Sequence, residues 1–106
     1  MDDRKEAEKA YHYLAETDEE YASAKALKVG REHAMKTAYS IAFLDHEGTV
    51  AERQALAYAS QRYKEAVKHL EDAVLDYETL HAKRERARLA IERWRTLEAT
   101  RRTGSA

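Results

Sequence analysis

Two long stretches in which apolar side chains recur at three- and four-residue steps flank Gly48, the only glycine between them, and no proline interrupts either. A chain built this way has few options. Each stretch satisfies its own backbone as a helix and carries one apolar face that needs a partner surface, which the other stretch supplies if the chain turns back at the glycine. Before the turn the stripe runs through Ala7, Tyr11, Leu14, Tyr21, Ala24, Leu27, Ala34, Ala38, Ile41 and Leu44. After it, Tyr63, Val67, Leu70, Val74 and Tyr77 alternate four- and three-residue steps, and Leu80, Ala87, Ile91, Trp94 and Leu97 continue in a shifted register. Two consecutive three-residue steps, Val74 to Tyr77 to Leu80, rotate the second stripe, and Lys83 with Arg84 leaves a polar gap in it.

Local capping chemistry marks the helix starts. Thr17-Asp18-Glu19-Glu20 and Thr49-Val50-Ala51-Glu52 both fit the pattern in which a threonine hydroxyl accepts from an orphan amide and a glutamate three residues on reaches back. Asp45-His46-Glu47-Gly48 reads as a helix end and turn, and Ser60 as a cap that separates a short connecting helix from a long one. The expected layout is one all-α domain over residues 1–102, a long antiparallel helical hairpin of coiled-coil type, with helices over about 4–46, 50–59 and 61–100 and a disordered tail at 103–106. Each long helix spans roughly 60 Å at 1.5 Å per residue. Alanines at 22, 24, 26, 34, 38 and 42 allow close approach, but seven tyrosines, Trp94 and Phe43 exceed what two helices can hide. Self-association into a helical bundle is expected, most simply as a dimer.

Composition excludes several function classes. Without cysteine there is no disulfide and no thiolate zinc site, and no apolar run approaches the roughly 20 residues that cross a bilayer. A cytoplasmic, non-membrane protein is the expectation. Lys plus Arg (19) nearly cancels Asp plus Glu (20), so the distribution of charge matters more than its sum. Residues 1–20 carry eight acids and three bases, whereas residues 83–102 carry eight bases and three acids. Folding back sets these segments side by side, so Asp2, Asp3, Glu6, Glu8, Asp18 and Glu19 can face arginines and fix orientation and register.

The same arginines admit a second reading. On a helical wheel Arg84, Arg88, Arg95 and Arg102 form one strip that could track phosphates, with Trp94 beside it to stack on a base and Arg101 adjoining. Arg84, Arg88, Trp94, Arg95, Arg101 and Arg102 are therefore the candidate residues for binding a protein partner or single-stranded nucleic acid. Tyr63, Val67, Leu70, Val74, Tyr77, Leu80, Ile91 and Leu97 are the candidate core or oligomer contacts. Glu78 and His81 match a Glu-x-x-His metal spacing, but no other histidine has a glutamate three residues before it. No serine stands in a nucleophile setting, and neither a phosphate-binding glycine loop nor a zincin motif is present, so no enzymatic activity, metal or cofactor is expected.

Glu47-Gly48-Thr49-Val50-Ala51-Glu52-Arg53 and the closing run Arg93-Trp94-Arg95-Thr96-Leu97-Glu98-Ala99-Thr100-Arg101-Arg102-Thr103-Gly104 resemble a group of small helical proteins of tailed bacteriophages and prophages. The likeness spans about Tyr11 to Gly104, and departs from the group's pattern at Thr100, where asparagine is expected. Such proteins are often encoded in early regions beside recombination and single-strand-binding genes. The resemblance implies a phage-encoded, non-enzymatic protein that works in the bacterial cytoplasm by binding a host or phage protein. The alternative it implies is an accessory of phage DNA recombination or replication that touches single-stranded nucleic acid.

Overall fold

A computed structural model describes residues 2–104. Three helices follow in order: α1 (Asp3–Asp45), α2 (Val50–Ala59) and α3 (Gln61–Gly104). Asp2 caps α1 by accepting from the Arg4 amide at 3.0 Å, and Asp3 and Glu6 set negative charge against the positive end of the helix dipole. At the other end of the chain Arg101 and Arg102 lie in the last turn of α3, where cations are favoured.

The turn forms where its residues require it. Gly48 takes φ 121°, a backbone conformation open to glycine and strained for any residue with a Cβ. Thr49 then accepts from the Glu52 amide at 3.2 Å and starts α2. Ser60 serves two helices. Its hydroxyl donates to the Ala57 carbonyl at 2.6 Å, closing α2, and accepts from the Tyr63 amide at 3.2 Å, opening α3. The helix start expected at Thr17 does not form. α1 runs unbroken through Thr17, whose hydroxyl bonds back to the Tyr13 carbonyl at 2.7 Å rather than capping a new helix. The tail is shorter than expected: Thr103 and Gly104 belong to α3, with Thr103 bonded back to the Ala99 carbonyl, and positions 105 and 106 lie outside the described residues.

α1 packs against α3 as an antiparallel hairpin, and the residues group into two compact units. One joins the start of α1, to residue 22, with α3 from residue 78 onward; the other, Ser23–Tyr77, holds the rest of both long helices and α2. In α1 the buried and half-buried positions include Asp3, Ala7, Ala10, Leu14, Thr17, Tyr21, Ala24, Lys28, Arg31, Met35, Ala38 and Ala42, a strict alternation of four- and three-residue steps flanked by half-buried Tyr13, Glu32, Tyr39 and Phe43. In α3 the seam is Tyr63, Ala66, Leu70, Ala73, Tyr77, Leu80, Arg84, Ala87, Ile91, Trp94 and Glu98, equally strict. The register shift expected at Val74 is thus absent: Ala73, not Val74, sits in the seam, and Arg84 fills the apparent gap. Most buried residues are alanines, namely Ala7, Ala10, Ala38, Ala42, Ala57, Ala73 and Ala87, which let helix backbones approach closely.

Candidate functional site

In the first unit Arg84 is a seam residue. Its guanidinium donates to the Leu14 carbonyl at 2.9 Å, to the Thr17 hydroxyl at 2.7 Å and to the Asp18 carboxylate at 2.8 Å, and lies 4.7 Å from the centre of the Tyr21 ring. Thr17 is itself buried, so this is a polar layer within the seam. One turn earlier the Tyr21 hydroxyl and His81 Nδ1 are 2.8 Å apart, with the rings stacked. The layer ties one point of α1 to one point of α3, because no shift of register offers the guanidinium the same three acceptors.

The other candidate arginines fall into separate environments. Arg88 is half-exposed and bonded to Glu85 and Glu92 on its own helix, at 2.9 and 2.6 Å. Its hydrogen bond holds the Glu85 carboxyl below the usual carboxylate range, and Glu85 in turn raises the Arg88 guanidinium. Arg101 is paired with Glu98 at 2.7 Å. Arg93, not singled out by sequence, reaches Asp3 at 3.9 Å, so the acidic start and basic finish meet through two cross-helix pairs, Asp18–Arg84 and Asp3–Arg93. Arg95 and Arg102 are exposed and have no ion pair among the described residues. Of the expected strip, then, Arg84 turns inward, Arg88 and Arg101 are held by neighbouring carboxylates, and Arg95 and Arg102 are left to solvent.

Arg95 borders a groove of about 340 Å³ lined by Ala7, Tyr11, Ile91 and Trp94, with Arg4, Glu8 and His12 on its rim. Tyr11 is 66% exposed there, although sequence periodicity had placed it on the packing stripe. Trp94 is half-buried, its ring part of the seam and part of the groove wall. Arg4 is already paired with Glu8 at 3.2 Å, leaving Arg95 as the unpaired arginine of the rim.

In the second unit an aromatic cluster joins all three helices at the turn. Tyr39 lies 4.7 Å from Tyr58, 6.1 Å from Tyr63 and 6.2 Å from Phe43 between ring centres. Burial, then the neighbouring Tyr58 phenol, raises the Tyr39 phenol above its ordinary value. Arg53 of α2 covers the Phe43 ring at 4.2 Å and donates to the Phe43 carbonyl at 3.2 Å, satisfying a backbone acceptor at the end of α1. Lys28 sits over the Tyr77 ring at 4.8 Å, which accommodates a cation within the seam.

Of the candidate core residues only Leu80 is buried; Tyr63, Val67, Leu70, Val74, Tyr77, Ile91 and Leu97 are half-buried along α3. Sequence reasoning missed the outward apolar set. Leu44 is 74% exposed, and Leu27, Ile41, Val50, Leu56, Tyr58, Leu75 and Leu89 also face solvent. Among the described residues no three His, Asp or Glu side chains gather as a metal site, and no helix is long and apolar enough to cross a membrane. In comparisons with known proteins, the chain matches no family model, no curated protein and no solved structure.

Proposed function

We propose that this protein acts without chemistry of its own, as a helical interaction protein that self-associates, most simply as a dimer, and binds a host or phage protein partner. The observation that carries the reading is an inversion of size. Seven of the nine buried positions are alanines, Leu80 and Thr17 being the others, while ten large apolar side chains stay exposed and no large side chain among the described residues is fully buried. Exposed apolar side chains that adjoin on one helix face, as Ile41 and Leu44 do a turn apart on α1, mark an interaction face. The resemblance of the turn and the closing run to small phage proteins supports a setting in the cytoplasm of an infected bacterium. Light scattering over a hundredfold range of concentration tests the assembly: a concentration-dependent rise to a defined oligomer is expected, and a monomer throughout would refute it.

A second reading has its own observation. Arg95 stands unpaired on the rim of a groove walled by Tyr11 and Trp94, an arrangement suited to a stacked base and its phosphate. Fluorescence anisotropy with a labelled single-stranded oligonucleotide should then show binding that weakens steeply with salt and is lost on Arg95→Glu. A flat response at low salt removes this reading.

A further inference from the structure

The outer face of α1 in the second unit repeats the logic of the seam. Leu27, Gly30, Ala34, Thr37, Ile41 and Leu44 follow at alternating three- and four-residue steps, all six are exposed, and none is charged in a chain whose charged fraction is 37%. On the side turned from α3 the flanking residues are Ala26, His33 and Ser40, again without a formal charge at neutral pH. This face is an uncharged second heptad, about 110° around the helix from the first.

Gly30 gives the face its direction. A glycine in a helix interior destabilises by about 1 kcal/mol relative to alanine, and here nothing within the chain requires it. A Cβ built at Gly30 meets no atom within 4 Å, and its φ is not in the left-handed region. A missing side chain in the middle of an exposed heptad is explained by a large side chain arriving from outside.

We propose that a second copy of this chain docks here, α1 against α1, antiparallel about a two-fold axis. In antiparallel heptads the two seam positions face each other across the pair. Leu27 then packs on Leu44 of the second copy, Gly30 receives Ile41, and Ala34 meets Thr37 beside the axis. Large meets large at both ends, and the largest step in size falls where the glycine makes room. His33 comes opposite Ser40 and Arg31 opposite Ala38, so no like charges are brought together. The stripe runs for about 25 Å. To reach the lower end of what a specific, stable interface buries, this stripe and its flanks must cover about 600 Å² per copy, about 1,200 Å² in all.

This surface rests on the self-association proposed above, and its test separates the two. The native chain has no cysteine, so single cysteines report cleanly. Leu27→Cys and Leu44→Cys chains should each resist oxidative cross-linking alone, because each position lies about 25 Å from its own copy, and should form a disulfide-linked heterodimer when mixed. Gly30→Gln should leave helicity intact and weaken self-association at least about tenfold. Cross-linking of either variant alone would mean a parallel contact and overturn the geometry. An oligomer that yields no mixed cross-link and ignores Gly30→Gln would overturn this surface and leave self-association standing. A native chain that stays monomeric would overturn both.

Discussion

Arg84 and Arg88 stand one turn apart on α3 and are interchangeable on a helical wheel, yet replacing each with alanine should have unequal effects. The Arg84 side chain is 17% exposed and donates to a carbonyl, a buried hydroxyl and a carboxylate. Truncation removes two charge-assisted bonds to neutral acceptors, about 1 kcal/mol each once water reaches the freed carbonyl. It also removes about 0.5–1 kcal/mol of cation–π contact with Tyr21, and little for Asp18, which is largely exposed. The loss should be about 2–3 kcal/mol, which for a chain of this size lowers the thermal midpoint by about 10–20 °C. Arg88, half-exposed, exchanges its glutamates for water, and its removal should leave the midpoint nearly unchanged. Urea and thermal melts by circular dichroism at one fixed protein concentration read both. Arg84→Met supplies the control: it keeps stem and volume but lacks the same hydrogen bonds and cation, so most of the loss should persist, which assigns it to the polar layer rather than to packing. Equal losses for the two alanine variants would refute the placement of Arg84 in the seam.

Gly48→Ala puts a Cβ at φ 121°, where its nearest neighbour is the movable Glu52 carboxylate, so the cost is backbone strain of about 1–3 kcal/mol, read in the same melts. Tyr39 should ionise on the alkaline side of 10.0. Because the folded state keeps its proton where the unfolded chain has lost it, the stabilisation is complete below the ordinary tyrosine value and disappears as pH rises through the raised one. An ultraviolet phenolate titration should show a late component that is lost in Tyr39→Phe and moves back toward the ordinary value in Tyr58→Phe.

The helix ends were legible because their chemistry is local. A glycine able to take positive φ, a threonine at Thr49 and a serine at Ser60 act within three residues, and each does what its neighbours allow. Thr17 shows the limit of that reasoning. Its neighbours spell a helix start, but Tyr13 offers a carbonyl inside the helix and Arg84 a donor 67 residues away, and those contacts are set by packing. The inner and outer faces of α1 were also merged, since Tyr11, Leu27, Ala34, Ile41 and Leu44 count as apolar and share the step sizes of the true seam. The seam itself passes through Thr17, Lys28 and Arg31, which a search for apolar residues skips. The arginine strip divides for a geometric reason. At 100° per residue Arg84 and Arg102 coincide, but a seam that repeats every seven residues drifts from a straight helix by about 20° per heptad, about 50° between those two positions. Arg84 stays on the seam and Arg102 leaves it.

That drift and the choice of alanine act together. A strict heptad on both long helices holds α1 against α3 wherever they pair, and alanines keep the backbones close, so the hairpin closes through small side chains and one polar layer. Enlarging a seam alanine such as Ala73 would therefore force the helices apart, whereas Leu27, Ile41 and Leu44 contribute little to holding the pair together. The residues that fold this chain and the residues it offers to another surface are thus largely separate sets. Changes on the outer face should alter what the protein binds before they alter whether it folds.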